Sequence, residues 1–449
     1  MQQHSATHLF DLYFEYVKDT ESPIIFHRWS LIACVGAFLG RSFYLPHGTN
    51  RIFPNSYIML IGNPGTRKSS AIKLCKKILS GAGYDKFSAE KTTKEKFLLD
   101  LEGLPENYGE LYAAGTNRFN GRRSTANESI SAADVLRNLN IATDEEIHDG
   151  SPKEVFIAAD EFNTFAGSGN LDFFALLGSL WDWDDETACY KHRLKNSKSL
   201  AIYQPTISIL GGNTHTGLQD GFPLQTIGQG FMSRLLLIHG EPSGRKIAFP
   251  TEPPESLREA ITGFFGQIKE RVKGEATISP QARGMLQTIY ITQPEFEDYR
   301  LKHYSTRRFT HLLKLVLVVA AMRLSTKIEA EDVLLANTIL AHTENLMPKA
   351  LGEFGRSKNS EATQNVMNAL YEAKEPMAFE ALWKVVRRDI EKREQLSDIL
   401  QGLMQADKIQ APDVKNHGKR AGFLPKQRPI NTKAVYVDFK LLPEGKGLV

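Results

Sequence analysis

Residues 56 to 69 constrain the fold more than any other stretch. An apolar run, Ser56-Tyr-Ile-Met-Leu-Ile61, ends in Gly62-Asn63-Pro64-Gly65-Thr66-Arg67-Lys68-Ser69, and a helical pattern follows from Ser69 to Leu79. Strand, glycine loop and helix in that order make a phosphate-binding unit, which calls for a mostly parallel sheet with helices packed on it. The run matches GxxxxGK[ST] except that Arg67 stands where the last glycine is expected. The loop from Gly62 to Ser70 offers backbone N–H groups and the positive end of the following helix to phosphates. Lys68 is placed to reach the β and γ phosphates of a nucleotide, and Ser69 to ligate magnesium. Arg67 is expected in or near the first helical turn, where right-handed φ/ψ tolerates a side chain. Taken alone, the run also reads as a glycine–proline turn with a chance Lys-Ser pair.

Three further strand ends fit the same unit. Val155-Phe-Ile-Ala-Ala159 ends in adjacent carboxylates, Asp160 and Glu161. Asp160 is the candidate to hold magnesium through water and Glu161 to polarise the attacking water, although acids at a strand end are also common in turns. The run Ile207 to Leu210 leads through two glycines to Asn213, a neutral amide that either orients the lytic water or sits in a simple turn. Gly230-Phe-Met-Ser233-Arg234 opens the run Leu235 to Ile238. Arg234 is either a surface cation or the positive charge that phosphoryl transfer recruits to a γ-phosphate.

Composition sets limits around this unit. The chain has 449 residues, 41% hydrophobic and 24% charged, which is the soluble globular class with room for two or three domains. Its net charge of +3 is too near balance to argue for nucleic acid, so any basic surface is local. Cys34, Cys75 and Cys189 lack the spacing of a disulfide framework or zinc site, and a reducing cytoplasm is expected. The start, Met1-Gln2-Gln3-His4, lacks the pattern of a secretory signal. The apolar stretches Trp29 to Leu39 and Leu312 to Leu324 are shorter than the roughly 20 residues a membrane span needs, so they are expected as buried helices.

Four regions follow. Residues 1–54 read as a helical prefix, with two helices between about residues 7 and 40. Residues 55–250 read as the phosphate-binding α/β core, interrupted by a polar stretch from 83 to 153 whose segment 115–123 has the look of a long loop. Residues 251–355 read as an all-helical lid. Residues 356–449 carry three helical patterns, Glu361 to Glu372, Phe379 to Val386 and Arg393 to Gln405, then strand-like runs Lys408 to Ala411 and Ala434 to Phe439. Three helices and a two-stranded wing describe a winged helix.

Four motifs together resemble the AAA+ module of the minichromosome-maintenance helicases and the related ATPases of phage and mobile-element replication. They are the loop at 62–69, with a non-glycine before the lysine; Asp160-Glu161-Phe162; the Asn213 strand end; and Ser233-Arg234 followed by Leu-Leu-Leu-Ile. The resemblance runs from about residue 55 to 440 and includes the lid and the winged helix. It implies that ATP and magnesium are the cofactors and that Lys68, Glu161, Asn213 and Arg234 are the catalytic set. It also implies that Arg234 acts in trans on a neighbour's ATP in a ring, expected to be a hexamer. A lid arginine, Arg307 or Arg308, is expected at the γ-phosphate. The family's large N-terminal DNA-binding tier is missing, and the closer likeness is to phage and plasmid ATPases with a helical prefix, which accompany primase domains.

Between Glu161 and Asn213, Tyr190-Lys191-His192-Arg193-Leu-Lys195-Asn-Ser-Lys198 is flanked by strand-like Thr187 to Tyr190 and Leu200 to Tyr203, a β-hairpin with a basic tip. In the resembled helicases a hairpin at this place grips the nucleic-acid backbone, which makes Lys191, His192, Arg193, Lys195 and Lys198 candidates for contact with single-stranded or forked DNA. A solvated charged turn is the plainer alternative. Lys415, His417, Lys419, Arg420, Lys426 and Arg428 add charge to the wing region. The leading expectation is a hexameric, ATP-driven replicative DNA helicase of a phage or mobile element, with a primase as an expected partner and no membrane. The rivals are a helicase loader or initiator, and a nucleotide-switch regulator that an intact Glu161 disfavours.

Overall fold

The computed structural model describes residues 5, 7–103, 151–184, 189–192, 200–222, 230–293, 296, 298–352, 358–373, 375–405, 408–410, 422–425 and 434–443. The chain divides into two compact units. The first comprises Met1–Ile291, His303–Gly352 and Val435–Val449, and the second Thr292–Lys302 and Glu353–Ala434.

The first unit opens with helices α1 (His8–Tyr16) and α2 (Ile24–Leu39), followed by strands β1 (Phe43–His47) and β2 (Asn50–Ile52). Central to it are β3 (Tyr57–Ile61), β4 (Glu154–Ala159), and, further along the chain, Thr206–Asn213 and Leu235–His239. Between them lie α3 (Lys68–Gly81), α4 (Lys94–Glu102), α5 (Phe162–Ala166), α6 (Leu171–Leu180), the paired strands β5 (Cys189–His192) and β6 (Leu200–Tyr203), and α7 (His215–Gly221). With Thr206–Asn213 as β7 and Leu235–His239 as β8, the central sheet is four all-parallel strands in the order β4-β7-β3-β8 among the described residues. Every residue of β3, β7 and β8 is buried, because helices flank the sheet. This explains why these strands appear in the sequence as unbroken apolar runs rather than alternating ones.

Register decides what meets at the sheet's carboxyl edge. Ile61 pairs with Asn213 on one side and His239 on the other, while Ala159 pairs with Gly211. The next residues are Gly62, Asp160 and Gly240, so one edge gathers the loop and the candidate acids, where open α/β sheets bind ligands. Two glycines permit the approach: a Cβ on Gly212 would lie 2.3 Å from the Asp160 carbonyl oxygen, and one on Gly62 would lie 2.7 Å from that of Gly240.

The apolar stretches fall in α2 and, but for Arg323 and Leu324, in α10 (Arg308–Met322), both helices almost wholly buried. No helix among the described residues is long and apolar enough to cross a membrane. Two regions expected as helical contain strands as well. Leu45 pairs antiparallel with Ile52 across the Gly48 turn, and Phe43 and Tyr44 pair in parallel with β9 (Gly274–Glu275). Among α8 (Glu255–Arg271), α9 (Pro280–Ile291), α10 and α11 (Ala330–Leu351), β10 (Thr277–Ile278) pairs with β11 (Lys327–Ile328). Such two- and three-residue ladders leave no periodic trace in a sequence.

The second unit packs α12 (Lys358–Glu372), α13 (Phe379–Val386) and α14 (Arg393–Gln405) around Val366, Leu370, Leu382, Leu396 and Leu400. A short antiparallel ladder joins β12 (Ile409–Gln410) to β13 (Leu424–Pro425). The expected strand Ala434 to Phe439 is not one. Asn337 of α11 donates to the carbonyls of Val435 and Tyr436 at 2.8 and 3.2 Å, and the Thr338 hydroxyl accepts from the Asp438 N–H. Helix side chains thus take up backbone groups that a ladder would have used, and residues from Val435 onward belong to the first unit. The wing cations Lys415 to Arg428 and the segment 115–123 lie outside the described residues.

Candidate functional site

Lys68 opens α3, and its ammonium turns back into the loop, donating to the carbonyls of Gly62 at 2.8 Å and Asn63 at 3.1 Å and to the Thr66 hydroxyl at 3.2 Å. Thr66 in turn closes the turn onto the Asn63 carbonyl through both its N–H and its hydroxyl. A half-buried lysine pays for desolvation, and burial lowers the Lys68 pKa while the nearby Glu161 charge opposes the shift. Ser69 and Ser70 follow in the first turn of α3, where backbone N–H groups have no partner within the helix. Pro64 and Gly65 form the loop's exposed crest, with Gly65 at φ +85°.

Arg67 corrects the sequence expectation. It caps α3 at φ +60°, ψ +31°, in the left-handed region instead of the right-handed one. The turn keeps the conformation for which glycine is the usual residue, and a side chain there costs roughly 1–2 kcal/mol. Contacts from the prefix meet it. The Glu21 carboxylate accepts from the Arg67 Nε at 2.7 Å and pairs with its terminal nitrogen at 2.7 Å, and the Ser22 hydroxyl donates to the Arg67 carbonyl at 3.0 Å. Glu21 is itself anchored, accepting from the Ile247 N–H at 2.8 Å, and its own carbonyl accepts from the Ser243 hydroxyl at 2.6 Å. The Ile247 N–H and then Arg67 hold its carboxyl below the usual carboxylate range.

Across the edge, Asp160 ion-pairs at 2.9 Å with Lys73, which lies on α3 beyond Lys68 and carries no motif signal in the sequence. Glu161 is exposed, extended at the head of α5, and accepts from the Thr164 hydroxyl at 3.3 Å. Asn213 is buried at the tip of β7. Its amide donates to Asn163 at 3.0 Å and accepts from the Thr214 N–H at 2.9 Å, and Asn163 donates onward to the Gly217 carbonyl at 2.6 Å. This amide chain ties the β7 tip to the helix that begins just after Glu161 and fixes the orientation of Asn213. Asn163 was not singled out in the sequence; its place two residues after an acidic pair was the available signal.

The arginines lie elsewhere. β8 runs parallel to β3 with Leu235 opposite Tyr57, so Arg234 stands at the amino edge of the sheet. About 13 Å of strand separates it from the loop at the carboxyl edge. There it joins a cluster around Trp181. Arg234 lies 5.9 Å from the indole ring centre, Arg307 5.8 Å and the buried Lys314 4.7 Å. Arg234 donates to the Gly230 carbonyl at 2.7 Å, and Arg307 ion-pairs with Asp182 at 3.3 Å. Lys314 donates to the Phe53 carbonyl and to Asn55, and burial pushes its pKa down to about 8. Burial first, then the Arg307 charge, lowers the Arg234 pKa, as expected of cations held together.

Arg308 takes the opposite course from Arg307. It is buried, paired with Glu344 at 2.8 Å and bonded to Asn337 at 2.9 Å. Its guanidinium is committed to the core of the first unit, and Arg307 is the more exposed member of the pair.

The hairpin is present as β5 and β6, antiparallel, with Lys191 opposite Ala201 and His192 opposite Leu200. Lys191 is exposed. Arg193, Lys195 and Lys198, and the expected strand start at Thr187, lie outside the described residues. Cys34 and Cys75 are buried free thiols. Among the described residues no group of three or more His, Cys, Asp or Glu is placed to hold a metal ion. The chain matches no protein-family model and no curated protein sequence.

Proposed function

We propose that this chain is a magnesium-dependent P-loop ATPase of the AAA+ type that works in a cytoplasmic ring as a DNA motor of a phage or mobile element. The observation carrying this reading is the convergence, at one carboxyl edge, of the 62–69 loop with Asp160, Glu161 and Asn213, while Arg234 and Arg307 stand together at the opposite edge. In this reading the loop's N–H groups and Lys68 receive the β and γ phosphates, the Lys68 ammonium exchanging its carbonyl partners for phosphate oxygens. Glu161 takes a proton from the attacking water as the bond to the γ-phosphorus forms and the bond to the β,γ-bridging oxygen breaks, giving ADP and phosphate. Asn213, locked by Asn163, orients that water.

The Ser69 hydroxyl and the Asp160 carboxylate are hard oxygen donors of the kind magnesium takes, with Lys73 the cation that now neutralises Asp160. A bound magnesium ion would supply charge neutralisation at the β and γ oxygens. Arg234 and Arg307 cannot serve the loop of their own subunit from the amino edge, so they act on a neighbour's γ-phosphate, which requires a closed ring, hexameric in this reading. The basic hairpin grips the DNA backbone, and the three-helix unit with its short ladder serves as a winged helix.

Subunit mixing tests the ring. Arg234→Ala and Glu161→Gln subunits, each inactive alone, should regain part of the ATPase activity together, since mixed interfaces join an intact Glu161 to an intact Arg234. A stable monomer with full, Arg234-dependent hydrolysis would overturn the trans assignment. Unwinding of a forked duplex separates a helicase from a loader.

A further inference from the structure

Three observations about the phosphate-binding loop belong together. Its turn residue is an arginine at φ +60°, where the loop's motif has glycine. The arginine is gripped at both ends, its guanidinium by Glu21 and its carbonyl by Ser22. Glu21 is itself fixed to the segment after β8, through Ile247 at its carboxylate and Ser243 at its carbonyl. An L-residue in the left-handed region persists only where its surroundings over-determine it.

We infer that Glu21 and Ser22 are positioning residues for this loop: they hold Arg67 in the left-handed turn that the loop requires and that an arginine does not secure by itself. The prefix is then part of the phosphate site rather than an appendage, and Arg67 supplies a handle that glycine lacks. Any movement of the 19–22 segment or of the 243–247 segment passes to the Lys68 ammonium and the α3 N–H groups through one residue. This rests on the reading of the loop as the nucleotide site, but its first consequence concerns the loop alone. Without the grip, the left-handed conformer loses its compensation, and the loop opens more often.

The size follows from the exposure of the pair. The Arg67 side chain is 54% exposed, and a pair of that kind is worth about 1 kcal/mol at most, which corresponds to about a 5-fold change in the open population. Two measurements on the full chain read it: hydrogen exchange across residues 62–70 without nucleotide, and the dissociation constant of a fluorescent ATP analogue. Glu21→Ala should speed loop exchange and weaken analogue binding by about that factor. In an Arg67→Gly background, where the turn needs no compensation, Glu21→Ala should change neither. Arg67→Ala, which keeps the strain and loses the grip, should resemble Glu21→Ala.

An equal cost of Glu21→Ala in both backgrounds would overturn the inference, since Glu21 would then act through Ile247 and not through Arg67. So would an unchanged loop exchange in Glu21→Ala, or an Arg67→Gly loop as open as that of Arg67→Ala. If Glu21→Ala does not fold, Glu21→Gln, which keeps an oxygen for the Ile247 N–H and removes the charge that faces Arg67, carries the same comparison. The expected exchange pattern in a wild-type chain that binds no ATP analogue would leave the grip standing and refute the nucleotide reading instead.

Discussion

Replacing Arg307 and Arg308 in turn should give two unrelated defects, although the residues adjoin and each was an equal candidate for phosphate contact. Arg308 pairs at 2.8 Å with Glu344, and the two side chains are 1% and 4% exposed. Arg308→Met leaves the Glu344 carboxylate buried with its cation gone, keeping the Tyr304 hydroxyl, which donates at 2.7 Å. Breaking a buried pair from one side costs roughly 3–5 kcal/mol. Burial already raises the Glu344 pKa, and Arg308 opposes the rise, so its loss raises the pKa further. A carboxyl whose folded pKa lies above its unfolded value costs stability as pH rises between the two, so the Arg308→Met penalty should be larger at neutral than at mildly acidic pH. Arg308→Met/Glu344→Gln should recover much of the loss. Arg307 is different: its pair with Asp182 is 3.3 Å long with side chains 32% and 40% exposed, and such pairs are worth about 0–1 kcal/mol. Arg307→Ala should therefore melt within about 2–3 °C of the wild type but lose assembly-dependent ATPase activity, whereas Arg308→Met should lower the melting temperature by on the order of 10 °C. Thermal melts across pH, with hydrolysis assayed well below each transition, read both. Equal destabilisation by the two substitutions, or lost hydrolysis with an unchanged melt in Arg308→Met, would refute the division of roles.

Two other outcomes follow from particular residues. Lys314 has a folded pKa of about 8 against an ordinary lysine value of 10.5, so the unfolded chain binds more protons between these values and stability should rise with pH across that window; Lys314→Met should abolish the rise in pH-dependent melts. Replacing Lys191, Arg193 and Lys195 by alanine should flatten the salt dependence of single-stranded DNA binding by a slope of about 2, and an unchanged slope would return the hairpin to a solvated turn.

The sheet was legible because burial on both faces writes β3, β7 and β8 as continuous apolar runs, and the acids and Asn213 could be placed because they stand where those runs stop. Helices α13 and α14 were legible to the residue from their spacing. The Arg67 conformation was not, because its φ is decided by Glu21 and Ser22, distant in the chain, and local φ/ψ tolerance favours the right-handed turn. Nor could the fates of Arg307 and Arg308 be told apart, since both precede the same apolar helix and only the helix's rotation buries one of them. Lys73, Asn163 and the Trp181 cluster depend on register between elements, which no local pattern records. The Ala434 to Phe439 run has strand composition, yet Asn337 and Thr338 take its backbone groups first.

The central claim is that the carboxyl edge of this sheet hydrolyses ATP. Its most direct test is magnesium-dependent phosphate release from ATP by the wild type and Glu161→Gln, with nucleotide binding measured on the same preparations and on Lys68→Ala. The wild type should turn over, Glu161→Gln should bind ATP without turning it over, and Lys68→Ala should bind it weakly. A wild type that binds no ATP, or a Glu161→Gln chain that hydrolyses it at the wild-type rate, would contradict the account.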